Sequence, residues 1–97
     1  MSVTVAVQTT LSRGSVTLKS ADAHVAPIVD VNAMSTVAEE ELIVGAMKRL
    51  RELARATGVW VRESQPGPDV VTDEELLEWV RGHAVNGYHA STTCKLT

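Results

Sequence analysis

The sequence predicts an α+β domain in which antiparallel strands come first and two amphipathic helices follow. Short segments before residue 32 are rich in β-branched residues, whereas apolar residues after position 37 recur at the three- and four-residue spacing of a helix. A chain of 97 residues is long enough for one small domain, and its hydrophobic fraction is 44% with only 3% aromatic residues. With no phenylalanine and a single cysteine, which excludes an internal disulfide, we expect a thin aliphatic core.

The strands are predicted from alternation at the period of an extended chain. Residues 3–7 alternate valine with smaller side chains, and residues 15–19 repeat that alternation. The intervening segment is long enough to turn the chain, and Gly14 accepts a positive φ, so we expect these two strands to form a hairpin. Residues 26–31 form the third predicted strand, in which Pro27 suits a strand start or an edge.

The first helix is predicted over residues 37–57. Thr36 and Glu39 have the spacing of a capping box, and Gly58 offers a left-handed stop. Gly45 lies inside the helix, where glycine is unfavourable, and is interpreted as a point of close packing. The apolar face consists of Leu42, Ile43, Ala46, Met47, Leu50, Leu53 and Ala54.

A loop over residues 65–69 separates this helix from the second one, because two prolines do not fit a helix interior. Before that loop, residues 59–61 are expected to be extended. Thr72 and Glu75 form another capping box, and the second helix is expected to run to about Gly82. Its apolar stripe is formed by Leu76, Leu77, Trp79 and Val80.

Charge and hydropathy argue against nucleic-acid binding and against a membrane span. The formal net charge is −3, and no basic stripe appears, so we expect no nucleic-acid binding. No apolar run approaches the roughly 20 residues that cross a bilayer, so we expect no membrane span. The first residues also lack the basic and apolar regions of a secretory signal.

Metal and nucleotide sites are not predicted either. His24, His83, His89 and Cys94 are potential ligands, but they lack the short spacings of structural zinc sites. The six glycines form no G-x-G-x-x-G pattern, so the chain contains no phosphate-binding loop of that kind. Cys94 is interpreted as a packed small residue rather than a nucleophile.

His89 is the residue with the strongest chemical potential. It lies between Tyr88 and a run of small side chains, which would let a substrate approach the ring. An imidazole changes charge near neutral pH and can therefore act as a proton acceptor. The alternative is a loop histidine that hydrogen-bonds to backbone.

Three segments together resemble the C-terminal, substrate-binding domain of the glucose-methanol-choline (GMC) oxidoreductases. They are residues 11–22 (LSRGSVTLKSAD), residues 27–30 (PIVD) and residues 88–95 (YHASTTCK). The resemblance runs in the same order from about Val3 to the end, and it includes the loop at 66–68 and the helix start at 72–75. The histidine segment resembles the fungal form.

The resemblance implies a flavoenzyme that oxidises alcohols. Members of the family hold FAD in an N-terminal domain of Rossmann type and transfer a hydride from the CH–OH carbon to the flavin. The histidine of a motif like Tyr-His-x-x-x-Thr-Cys takes the hydroxyl proton, and this match implies that His89 is the base. The implied partners are therefore an alcohol substrate and FAD.

The sequence also departs from the family pattern. Ala90 replaces a common proline, Leu96 replaces the usual methionine, and the second catalytic histidine or asparagine is not in the sequence. We therefore expect residues 1–97 to be a partial GMC C-terminal domain, without the FAD-binding domain and the C-terminal end. FAD would then be held elsewhere, in one alternative by a separate chain, and the isolated chain would be inactive. The other alternative is a noncatalytic remnant or a module that binds a partner through its open sheet edge.

Overall fold

The structure is a computed structural model that describes residues 2–59, 62–89 and 93–94. The described elements are β1 (Ser15–Thr17), β2 (Ile28–Asp30), α1 (Val37–Ala56) and α2 (Asp73–His83). This order confirms the predicted α+β class, with strands followed by two helices. Within the described residues, no helix is long and apolar enough to cross a membrane.

The two strands form an antiparallel sheet in which Val16 faces Val29. The sheet therefore joins the second and third predicted strands, whereas residues 3–7 form no strand. The predicted pairing of residues 3–7 with residues 15–19 is wrong. Val5 and Val7 are half-buried and pack against the helical core instead, so the alternation in this segment reflects contact with helices.

Gly14 is required by close approach of two backbone segments. A Cβ atom at this position would lie 2.9 Å from the carbonyl carbon of Val31 and still closer to the carbonyl oxygen of Asp30. Gly14 is not among the glycines with positive φ, so the expectation of a left-handed turn residue is wrong. Glycine is needed here because it has no side chain.

Helix α1 confirms the predicted start and stop. The Thr36 side chain caps the helix by accepting a hydrogen bond from the Glu39 N–H at 3.3 Å. Gly58 follows the helix in the left-handed conformation, with φ of 71°. Gly45 does not fit its predicted role of close packing, because a Cβ atom there would have no atom of another described residue within 4 Å beyond its own helix backbone.

Helix α2 has a complete capping box. The Thr72 side chain accepts from the Glu75 N–H at 3.2 Å, and the Glu75 carboxylate accepts from the Thr72 N–H at 2.9 Å. The N–H groups of Thr72, foremost, and of Val71 both donate to the Glu75 carboxylate and lower its pKa. The helix continues through Gly82 and ends at His83, one residue beyond the prediction.

The core lies between the two helices, which run antiparallel. Arg81 near the end of α2 pairs with Glu40 near the start of α1 at 2.5 Å, and Lys48 pairs with Asp73 at the other end. The buried cluster is aliphatic, as the composition predicts, and consists of Ile43, Val44, Leu76 and Val80. The half-buried residues packed around it are Val5, Val7, Met34, Met47, Val70, Leu77 and Trp79.

The segment between the helices is only partly described. Trp60 and Val61 of the predicted extended stretch 59–61 lie outside the described residues. Residues 62–72 contain no helix or strand and lead into α2, which agrees with the predicted loop at 65–69.

Candidate functional site

His89 lies in an exposed segment that follows α2. Residues 84–89 are all exposed, and Tyr88 keeps 92% of its accessible surface. The Tyr88 N–H donates to Oδ1 of Asn86 at 2.8 Å, and Tyr88 itself has a φ of 62°. A bulky residue seldom adopts this conformation, so the Asn86 side chain holds the backbone in a turn directly before His89. The imidazole of His89 is thus presented to solvent.

The segment that carries His89 directly follows the last turn of α2. The rings of Trp79 and His83 are stacked, with centroids 4.4 Å apart and planes 6° from parallel. Nδ1 of His83 lies 2.8 Å from the Trp79 carbonyl oxygen and donates to it, because a carbonyl oxygen only accepts. The Ala84 N–H then closes the helix by donating to the Val80 carbonyl at 2.7 Å. His83 therefore has a structural role at the helix end.

The other predicted ligand residues do not come together with His89. His24 lies in an exposed turn where its own N–H donates to Oδ1 of Asp22 at 3.0 Å. Among residues 2–59, 62–89 and 93–94, no three His, Cys, Asp or Glu side chains are close enough to hold a metal ion. Cys94 is exposed, so its interpretation as a packed small residue is wrong.

Sequence reasoning missed a buried polar cluster centred on Glu39. This carboxylate is only 3% exposed and accepts hydrogen bonds from the N–H groups of Leu11 at 2.8 Å and Ser12 at 3.1 Å. The Ser12 hydroxyl donates to the second carboxylate oxygen, and the Thr36 hydroxyl is 3.1 Å from that oxygen. Ser12 in turn accepts from the Ser35 N–H and hydroxyl, each at 3.0 Å.

These donors keep Glu39 ionised. The Ser12 hydroxyl foremost, together with the backbone N–H groups of Ser12 and Leu11, lowers the pKa of Glu39 from 4.5 to about 2 against the opposing effect of burial. The carboxylate thereby fixes the chain at residues 11–12 to the first turn of α1. It caps this distant segment instead of returning to the Thr36 N–H, so the predicted capping box is formed only on the Thr36 side.

A second missed contact fixes the connection between the helices. The Arg51 guanidinium makes a bidentate ion pair with Glu63, in which Nη2 lies 2.8 Å from Oε1 and Nε lies 2.9 Å from Oε2. Its Nη2 also donates to the Gly67 carbonyl at 3.2 Å. The side chains are 14% and 8% exposed. Both missed contacts join residues far apart in sequence, and no local pattern indicates such pairs.

Comparison with known proteins identifies the family. The sequence profile described as GMC oxidoreductase matches residues 10–97. The chain belongs to the GMC oxidoreductase family. The match includes every described strand and helix together with the His89 segment, in agreement with the resemblance seen in the sequence.

The chain is similar to proteins of both fungi and bacteria. The chain is 63% identical over 95 residues to a glucose methanol choline oxidoreductase of Aspergillus terreus, covering 98% of the chain. It is 37% identical over 99 residues to the patulin synthase of Penicillium expansum, covering 98% of the chain, and 38% identical over 89 residues to an oxygen-dependent choline dehydrogenase of Pectobacterium carotovorum, covering 89%. The chain spans 16% of the length of each of these relatives. No solved structure is significantly similar to the chain.

Proposed function

We propose that this chain is the C-terminal, substrate-binding part of an FAD-dependent oxidoreductase that oxidises CH–OH groups, with His89 as the proton acceptor. The observation that carries the proposal is the family match over residues 10–97, which includes the histidine motif. The 63% identity to a fungal GMC oxidoreductase over nearly the whole chain supports it.

The chain does not itself fit FAD. Its glycines lack the G-x-G-x-x-G spacing that brings a pyrophosphate to a helix N-terminus. The space that the missing side chain of Gly14 leaves is occupied by the backbone of Asp30 and Val31, so this space cannot receive a phosphate. In this proposal FAD is bound by another part of the protein, in the same or a separate chain, and supplies the hydride acceptor there. Residues 1–97 alone are then inactive.

His89 contributes the proton-transfer part of the reaction. A nitrogen of its imidazole accepts the hydroxyl proton of the alcohol, which leaves the oxygen electron-rich and assists loss of hydride from the adjacent carbon. Its exposure in the described residues supports this role, because nothing described there covers the segment that carries it. The turn between Asn86 and Tyr88 sets the direction in which the chain enters His89.

The proposal is tested by isolating the native assembly that contains this chain from its source through an affinity tag on the chain. We expect flavin absorbance in the purified sample and bleaching of that absorbance when primary or secondary alcohols are added without oxygen. The matched control is the tagged 97-residue chain produced alone, which we expect to carry no flavin. A native assembly that contains no flavin, or whose flavin no alcohol reduces, would contradict the proposal.

A noncatalytic module that binds a partner chain is the second candidate, and one observation favours it. All six residues of β1 and β2 are exposed, and a two-stranded sheet is marginal by itself. Such a sheet needs a further strand or a covering surface. The same isolation separates the candidates, because a flavin-free complex with another protein would support the module and contradict the enzyme.

A further inference from the structure

We propose that Asn86 is a site of spontaneous deamidation, in which the neighbouring Gly87 nitrogen and solvent water convert the amide into aspartate and isoaspartate. This inference goes beyond the proposed function and does not depend on it. It rests on the geometry of the Asn86–Gly87 pair and on the contrast with Asn32, the other asparagine in the sequence.

The environment of Asn86 leaves the reacting atoms accessible. Asn86 and Gly87 are both exposed and lie outside α2, which ends at His83. A Cβ atom at Gly87 would meet no atom within 4 Å among the residues that the structure describes, so Gly87 is not packed against them. Glycine also lets the backbone rotate into the conformation that ring closure needs.

The hydrogen bond to Tyr88 favours the reaction. The Asn86 Oδ1 accepts from the Tyr88 N–H at 2.8 Å, which closes a turn through the side chain. This hydrogen bond spans Gly87, so it turns the Asn86 side-chain carbonyl back towards the stretch of main chain that holds the attacking nitrogen. The same hydrogen bond draws electron density from that carbonyl and makes its carbon a better electrophile.

The chemical steps balance without any oxidant or cofactor. The Gly87 nitrogen bonds to Cγ of Asn86, its proton passes through solvent to the departing amide nitrogen, and the Cγ–Nδ2 bond breaks to release ammonia. The product is a five-membered cyclic imide. Water then adds to one of its two carbonyl carbons and opens the ring, which gives aspartate at one carbonyl and isoaspartate at the other.

Asn32 is exposed as well but differs in its side-chain hydrogen bond and in the residue that follows, so it serves as an internal control. Its side-chain amide nitrogen, the leaving group of the reaction, donates to the Arg13 carbonyl at 3.0 Å and is held there. The residue that follows is Ala33, whose side chain hinders attack by its nitrogen. We expect this asparagine to persist while Asn86 reacts.

The products have different consequences for the His89 segment. Aspartate keeps an acceptor oxygen for the Tyr88 N–H and adds one negative charge three residues before His89. Isoaspartate routes the main chain through the side-chain carbon, which lengthens the backbone and removes the turn. The modification would therefore alter the segment that carries the proposed base.

The test follows the two asparagines in the intact 97-residue chain during incubation in mildly alkaline buffer. Trypsin releases Asn86 in peptide 82–95 and Asn32 in peptide 20–48, so mass spectrometry measures both in one sample. We expect the amide of Asn86 to be lost on the order of tenfold faster than that of Asn32, and Gly87→Ala to slow the loss at Asn86 by a similar factor. Methylation by an isoaspartyl methyltransferase should label peptide 82–95.

Three results would overturn the proposal. The first is equal loss at both asparagines, and the second is an unchanged rate in Gly87→Ala. The third is a product that contains aspartate without isoaspartate, which would indicate direct hydrolysis of the amide instead of the cyclic imide. None of these readouts requires flavin or enzymatic activity, so the outcome is independent of whether the oxidoreductase proposal holds.

Discussion

Replacement of Glu39 by alanine should destabilise the chain far more than replacement of any exposed acidic residue on the same helix. The substitution leaves two donors of the buried Ser12, its N–H and its hydroxyl, without their acceptor. Each unsatisfied buried donor costs roughly 1–3 kcal/mol, whereas the half-exposed Leu11 N–H can turn to water. We therefore expect a loss of about 2–5 kcal/mol in the free energy of unfolding, a large part of what a domain of this size possesses.

Urea unfolding followed by circular dichroism measures this loss. Glu41→Ala is the matched control, because Glu41 is exposed on the same helix and should change the free energy of unfolding by less than about 0.5 kcal/mol. Glu39→Gln should fall between the two, since glutamine keeps one acceptor oxygen but no charge. Equal effects of Glu39→Ala and Glu41→Ala would refute the reasoning that the buried carboxylate fixes residues 11–12 to α1.

Three further results are expected from the same structure. The pKa of Glu39 is lowered from 4.5 to about 2, so the contribution of its carboxylate to the free energy of unfolding is complete above pH 4.5 and is lost as the pH falls towards 2. In acid, the slope of the free energy of unfolding against pH should therefore be smaller in Glu39→Gln than in wild type, by at most about 1.4 kcal/mol per pH unit. The pKa of Glu75 is lowered too and acts in the same direction, so the difference between wild type and Glu39→Gln isolates Glu39, and identical profiles would contradict the assignment. Gly14→Ala should destabilise by roughly 1–3 kcal/mol in thermal unfolding because its Cβ meets the backbone of Val31, and an unchanged melting temperature would show that the two segments are not in contact. Gly45→Ala should instead stabilise by up to about 1 kcal/mol, because the added Cβ meets no atom of the described residues and alanine has the higher helix propensity. A loss of stability would show that a neighbouring group packs against Gly45.

Local signals in the sequence predicted the helices well. The caps at Thr36 and Thr72, the left-handed Gly58 and the apolar stripe of α2 all act within a few residues, and the structure confirms them. The predicted apolar face of α1 is confirmed only in part, because Ile43 and Ala54 are buried whereas Leu42 and Leu53 are exposed. Such features depend on backbone geometry near one point of the chain. They can therefore be predicted without knowledge of the fold.

Strand pairing and the polar cluster depended on contacts that no local pattern specifies. Residues 3–7 have the alternation of a strand, yet Val5 and Val7 use it to pack against helices. Glu39 has the spacing of a capping residue, yet its carboxylate binds Ser12, 27 positions earlier in the chain. In both cases a long-range contact selects one of two uses that the same residues permit.

Only the part of the candidate site that depends on local sequence was predicted. Its histidine was singled out from the motif around Tyr88, and the structure adds that the segment is exposed and that Asn86 holds the turn. The support from α2, where His83 stacks on Trp79, was not predicted, because it depends on side-chain orientation at the helix end. The role of His89 in catalysis remains the proposal.

The rate constant of flavin reduction by alcohol, measured without oxygen in the native FAD-containing assembly, tests the central claim most directly. We predict that His89→Ala lowers this rate constant by about a hundredfold or more while FAD stays bound, which is the usual effect of removing a proton acceptor. His24→Ala, which changes a histidine that is also exposed, should leave the rate constant unchanged. Equal rate constants for the wild-type assembly and His89→Ala would contradict the account.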